Sequence, residues 1–150
     1  EILSQAEALR SNLMELMQAD TEAYAQVSGA YGMPRKTSKQ KRARTAAIQE
    51  ALKGALEVPL KATIRCYDIL KLNASLVDKG NPNLISDVGV AVALAESALQ
   101  SAAMNVEINL AYIKDEEFCK EVQEKLDPVV AEGTKIKAEV WDKVMKAITG

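Results

Sequence analysis

Four sets of polar side chains are spaced so that they could do chemistry. Asn81, Asn83, Ser86 and Asp87 fall in one short stretch around Pro82, just ahead of an alanine-rich run. Side chains of these types cap a following helix. They also line binding sites where the helix's free N–H groups and the positive end of its dipole gather. Asp20 and Tyr24 stand four apart, either as a carboxylate and a phenol sharing a pocket or as an exposed acid beside a core aromatic. Asn105 and Asn109, again four apart, are amides of a core hydrogen-bond network, or of a site or interface completed by another chain. The run PRKTSKQKRAR, from Pro34 to Arg44, holds six basic residues, among them Lys36, Lys39 and Arg42. It reads as a solvated connection or as an anion site for a carboxylate-rich ligand. Nucleic acid fits it poorly, because one basic segment on a net-acidic chain without stacking aromatics is a thin footprint.

What the sequence lacks narrows the chemistry further. It contains no histidine, which removes Ser-His-Asp and Cys-His catalysis and the common imidazole metal sites. Cys66 and Cys119 have no paired spacing, so neither a disulfide framework nor a zinc site is expected and both read as buried or idle thiols. No metal site is expected.

With 150 residues, 48% apolar and 27% charged, and a net charge of −2, the composition is that of one ordinary globular domain spanning residues 1–150. No uninterrupted apolar run reaches the roughly 20 residues of a membrane span, and the first residues lack the order of a signal peptide. The expected compartment is therefore the cytoplasm, with no membrane partner. Glu1 already lies inside a helical pattern, which leads to the expectation that the natural protein starts earlier.

The elements that must position these groups are all helices. Breakers at Gly32 to Pro34, Gly80 to Pro82 and Lys114-Asp115 cut the chain into four blocks, with Pro128 a later interruption. In the first, Ile2, Leu3, Ala6, Leu9, Leu13, Leu16, Met17, Tyr24 and Val27 recur at the spacing of an amphipathic helix. The second starts at Thr37 or Ser38, carries Ile48, Leu52, Leu56, Leu60, Ile64, Ile69, Leu72 and Leu76, and should kink or break at Pro59. The third runs from near Asn83 to near Ile113, and the fourth starts at Asp115 as N-cap. The reading is an all-α bundle of long helices. Ala91, Ala95, Ala98 and Ala102 form a small-residue stripe that permits close approach, either inside the bundle or to a second copy. Asp87 and Asn105 are 18 positions apart, five whole turns, so they share a face but lie about 27 Å apart. One small ligand does not easily touch both.

From 80 to 118 the residues stop being generic. Gly80-Asn81-Pro82-Asn83, then Ser86-Asp87, the alanine-rich continuation, NVEIN at 105–109 and IKDEEF at 113–118 closely resemble the cyclodeaminase/cyclohydrolase family of folate enzymes. Asp20 with Ala23-Tyr24, then Pro34, and AIQEALKGALEVPL at 47–60 look like that family's earlier helices, so the likeness covers nearly the whole chain. The resemblance implies an all-helical, usually dimeric domain acting on one-carbon units of tetrahydrofolate. It either hydrolyses 5,10-methenyltetrahydrofolate to the 10-formyl form, or closes 5-formimidoyltetrahydrofolate to the methenyl form with loss of ammonia. Neither reaction needs a cofactor, since the tetrahydrofolate derivative is the substrate. Members normally begin with a further helix preceded by a Pro-Gly-Gly-Gly-Ser segment, and this sequence has no such segment.

Cyclodeamination wants a general acid at the departing nitrogen, and hydrolysis wants a base at the attacking water. Within the resemblance, Asp87 is the expected catalytic group, with Asn81, Asn83 and Ser86 positioning substrate. Asp20 is a second catalytic candidate, with Tyr24 beside it, and Lys36, Lys39 and Arg42 are placed on the folate's glutamate tail. The lack of an accompanying formiminotransferase domain tilts the reading towards a cyclohydrolase. The competing class is a helical interaction module without catalysis.

Overall fold

A computed structural model describes residues 1–150 as four helices: α1 (Ile2–Gly32), α2 (Ser38–Leu76), α3 (Ile85–Leu110) and α4 (Glu116–Thr149). A single 3-10 turn, Pro82–Leu84, precedes α3. The starts follow from local chemistry. Thr37 and Gln40 close a capping box at the head of α2: the Gln40 N–H donates to the Thr37 hydroxyl at 3.2 Å, and the Thr37 N–H donates to Gln40 Oε1 at 3.0 Å. Asp115 caps α4 by accepting from the Phe118 N–H at 3.1 Å.

Neither internal proline ends its helix. Of the kink or break expected at Pro59, a break does not occur, since α2 continues through it, and α4 likewise runs on through Pro128, where an interruption was expected. Each proline removes only one backbone donor, and packing on both sides of it holds the helix together. Pro59 is itself buried, and its carbonyl accepts from the Thr63 hydroxyl at 2.8 Å.

The helices do not share the core equally. α2, α3 and α4 pack on one another, while α1 touches α2 alone. Consequently α1 buries only Ala30, and the apolar line read there is mostly at the surface: Leu3, Met17 and Tyr24 are each more than two thirds exposed. In α2 the buried line begins as expected at Ile48, Leu52 and Leu56. It then passes to Pro59, Thr63, Cys66, Leu70 and Asn73, leaving Ile64, Ile69 and Leu72 half-buried. The two polar groups in that line satisfy themselves inside the helix, Thr63 on Pro59 and Asn73 on the Ile69 carbonyl at 2.9 Å. α3 buries Val88, Val92, Ala95, Leu99, Ala103 and Val106, so of the four-alanine stripe only Ala95 lies inside. An 18-residue window within Pro82–Leu110 reaches a mean hydropathy of 1.2. The central helix of a bundle has that composition too, and α3 packs its buried stripe on α2 and α4.

Two features set how closely the helices approach. A Cβ on Gly133 of α4 would lie 2.7 Å from Leu99 Cδ1 and 3.2 Å from Leu70 Cδ1, so this glycine lets α4 settle against both neighbours. At the other end of the bundle, Lys53 Nζ meets Asp115 Oδ2 at 2.6 Å and lies 4.9 Å from the centre of the Phe118 ring. Gln49 bridges the same junction, donating to the Tyr112 carbonyl at 3.0 Å and accepting from the Lys114 N–H at 2.7 Å.

Two measurements follow from this packing. Gly133→Val inserts branched volume between two fully packed leucines and should destabilise by about 2–3 kcal/mol, a fall in Tm of roughly 5–10 °C in a thermal melt. An unchanged melt would mean that the helices are not held this close. Hydrogen bonds from Lys53 and then from the Phe118 N–H hold the Asp115 carboxyl below the usual aspartate range, and the bond to Asp115 chiefly holds Lys53 above its own. A depressed acid stabilises above its unfolded pKa of about 3.9 and loses that contribution as pH falls through the folded value; a raised lysine loses its contribution only as pH rises above about 10.4. Asp115→Ala should therefore lower Tm at neutral pH, and the gap from wild type should shrink as pH falls below about 3.9.

Candidate active site

The polar sets separate into two groups at opposite ends of α3. Asn81, Asn83, Ser86 and Asp87 are all exposed at its start. Asn81 Oδ1 accepts from the Asn83 N–H at 3.0 Å and so caps the 3-10 turn, but α3 itself begins without a side-chain cap. Capping therefore accounts for Asn81 and leaves Asn83, Ser86 and Asp87 facing solvent with no partner in the chain. Asp87 adds its charge to the first turn of α3, where the helix dipole favours an anion.

The second group lines a groove. Because α1 leans on α2 alone, an open trough of about 510 Å³ is left between α1 and α3, with α2 as its floor. Leu13, Leu16, Met17 and Asp20 form one wall and Ala98, Ala102 and Asn105 the other, over Val58, Pro59, Ala62 and Cys66. Here the small-residue stripe has its use: Ala98 and Ala102 keep the wall low, so the trough stays open. The trough is apolar, with an acid and an amide as its polar groups, which is the ordinary make-up of a small-molecule site. Burial pushes the Cys66 thiol in its floor up from the usual range, so this sulfur is held as a thiol. A roomier depression of about 700 Å³ between α1 and α2 is lined largely by alanine and glycine, with Gln26 and Glu50 as its polar side chains and little means to orient a reaction.

Several expectations change here. Asn105 is exposed on the groove wall and is no part of a core network, and Asn109 spends its amide on the Asn105 carbonyl at 2.8 Å. Tyr24 is 73% exposed and is not a core aromatic, though it stands one turn beyond Asp20. Lys36, Lys39 and Arg42 are exposed at the α1–α2 turn and the start of α2. Arg44 has a structural task instead, donating from Nη2 to the Tyr31 carbonyl at 2.9 Å and lying over that ring. Sequence reasoning passed over Arg65 and Lys71, which both pair with Asp68, at 3.1 and 2.8 Å, in a polar cleft with Gln5 and Asn12. Their i,i+3 spacing about one acid was the available signal, and it is also how ordinary helix surfaces pair charges.

One chain thus holds a carboxylate at each of two places, Asp20 in the trough and Asp87 at the start of α3, both open to solvent and able to exchange protons with a bound molecule. Comparison with known proteins joins these features to a family. A model of the formiminotransferase-cyclodeaminase family matches residues 1–128. Methenyltetrahydrofolate cyclohydrolase of Methylorubrum extorquens is 38% identical over 148 residues, 99% of this chain and 71% of that protein. The formimidoyltransferase-cyclodeaminase of Rattus norvegicus is 31% identical over 125 residues, of which this chain spans 23% of the rat protein's length. Among solved structures, formiminotetrahydrofolate cyclodeaminase of Thermotoga maritima superposes with a TM-score of 0.75 at 30% identity, covering 94% of this chain and 64% of that one. With a family match across most of its length, and a relative that it covers by more than two thirds, the chain belongs to the formiminotransferase-cyclodeaminase family of folate one-carbon proteins.

Proposed function

We propose that this protein hydrolyses 5,10-methenyltetrahydrofolate to 10-formyltetrahydrofolate. The observation that carries the reading is the 38% identity to a protein named as that cyclohydrolase, sustained over 99% of this chain. The chemistry suits the groups present. The substrate's methenyl carbon sits in a cationic amidinium, which carboxylates attract. Water adds to that carbon as a carboxylate takes its proton. The C–N5 bond then breaks with its electrons going to N5, which is protonated, while the remaining hydroxyl becomes the formyl carbonyl on N10. Each step asks only for proton transfer and for polar groups around one carbon. Asp87 and Asp20 are the proton-transferring groups, Asn81, Asn83, Ser86, Asn105 and Tyr24 hold the substrate, and the folate is the substrate itself, so no further cofactor is required. Lys36, Lys39 and Arg42 take the glutamate tail, and the working form is a homodimer.

Cyclodeamination of 5-formimidoyltetrahydrofolate is the second reading, favoured by the Thermotoga maritima neighbour's name. The two reactions share a carbon and a carrier and differ in whether ammonia or water is exchanged there. Absorbance in the methenyl band decides between them. Its loss with methenyl substrate supports the hydrolase, and its appearance with ammonia release from the formimidoyl substrate supports the alternative. Silence in both from folded protein would favour an interaction module. In the active reaction, Asp87→Asn and Asp20→Asn should each lower kcat by about 10²–10⁴, the usual worth of a general acid or base. Full turnover in either variant removes that residue from the chemistry. Replacing Lys36, Lys39 and Arg42 together by Gln should raise KM several-fold for polyglutamylated substrate at low salt, and leave the monoglutamate's KM unchanged.

A further inference from the structure

The contact between α1 and α2 has two open sides. The trough lies on the side towards α3, and a polar cleft of about 540 Å³, lined by no residue of α3, lies on the other. Neighbours in sequence divide between them, as consecutive helix positions about 100° apart must. Asn12 and Arg65 line the cleft, and Leu13 and Cys66 line the trough. The cleft thus shares both helices with the trough and none of its side chains.

On the α2 wall one acid stands between two cations. Asp68 Oδ2 accepts from Arg65 Nη1 at 3.1 Å, and Asp68 Oδ1 lies 2.8 Å from Lys71 Nζ. Both carboxylate oxygens are therefore engaged, and two cations against one acid leave a net charge of +1. The cations keep donors to spare: the Nε–Nη2 edge of Arg65 and the other ammonium hydrogens of Lys71 have no partner in the chain. Lys71 is steadied over the Tyr67 ring, 4.5 Å from its centre.

The α1 wall adds donors of its own. Gln5 and Asn12 are seven positions apart, two turns, so their amides project to one side about 10 Å apart along the helix. Neither amide is hydrogen-bonded within the chain, although Asn12 is half-buried. Leu9 and Leu72 supply an apolar surface from either wall. Past Gln5 and Ser75 the cleft continues into a depression lined also by Glu1 and Lys79, whose charges offset each other. A surface ion pair on a helix ordinarily faces only water. These two pairs face a second wall whose amides have no partner, across a space of the size that holds a small molecule.

We infer that this cleft is a second ligand site, taking a small organic carboxylate whose anionic end pairs with Arg65 and Lys71 and whose body lies between Leu9 and Leu72, within reach of Gln5 and Asn12. A planar carboxylate accepts two parallel N–H bonds from the free guanidinium edge, and its single charge matches the net charge of the wall. A cation is disfavoured, because the oxygens of Asp68 are already taken. Since α1 touches α2 alone, an occupant held by both walls also steadies the helix that carries Asp20 in the trough.

The inference is independent of the folate reading, and binding alone tests it. Benzoate is the probe, with benzamide as its uncharged counterpart and inorganic phosphate as a non-planar anion, all at one ionic strength. In a two-dimensional amide NMR spectrum, benzoate should shift the side-chain signals of Gln5 and Asn12 saturably, and benzamide should leave them in place. Arg65→Lys keeps the charge and loses the fork, and should weaken benzoate about tenfold or more. Asn12→Ala, on the facing wall, should weaken it several-fold, while Lys120→Gln on exposed α4 leaves the affinity unchanged. Should one of the two cleft variants fail to fold, the other decides. An absence of saturable shifts at Gln5 and Asn12, or wild-type affinity in the folded cleft variants, would overturn the inference. Phosphate bound as tightly as benzoate would refute the carboxylate assignment.

Discussion

The buried line of α2 packs at once against α1, α3 and α4, and the placement of every other element depends on that contact. It runs from Ile48 to Asn73 without a charged residue, and the two polar side chains it contains close their hydrogen bonds on the carbonyl one turn back. α3 and α4 meet it tightly because Gly133 lets Leu70 and Leu99 approach the α4 backbone. With α2 as the common contact, α1 has no need of α3, and the space between them is the trough.

That trough explains an otherwise costly surface. α1 keeps Met17 and Tyr24 in solvent and α3 keeps Leu94 and Met104 there. The exposed apolar residues border the trough and the outer face of α3, where the polar side chains of the family's pattern also gather. Packing surface and reactive groups thus occupy adjoining stripes of one helix. The buried stripe closes the bundle, the outer stripe is charge-free, and the flank between the outer stripe and the trough carries Asp87, Asn105 and Asn109.

Polar groups near the ends of helices are ambiguous until their partners are seen. Asn81, Thr37 and Asp115 are caps, as their types suggest, while Asn83, Ser86 and Asp87 occupy equally suitable positions and cap nothing. Arg44 likewise looks like a member of an exposed basic segment and Lys53 like a lone surface lysine, yet one fastens α1 to α2 and the other fastens α2 to α4. In a helical protein of modest charge, the side chains left without an internal partner are the ones free to meet a ligand.

Sequence alone determined the all-helical class, the helix count and the Thr37 and Asp115 starts, because apolar periodicity and capping act over a few residues and need no distant partner. The motifs around Asn81, Asp87 and Asn105 were enough to indicate the folate family. Tertiary structure alone decided which apolar residues are core. Periodicity treats Leu3, Met17 and Ile64 as it does Leu52 and Leu56, and only the neighbouring helices determine which of them are covered. The continuity of α2 through Pro59 was decided the same way, since packing on both sides outweighs the loss of one backbone bond. So was the meeting of Asp20 with Asn105: they are 85 positions apart, on helices that do not touch, and they face each other only because both helices flank α2.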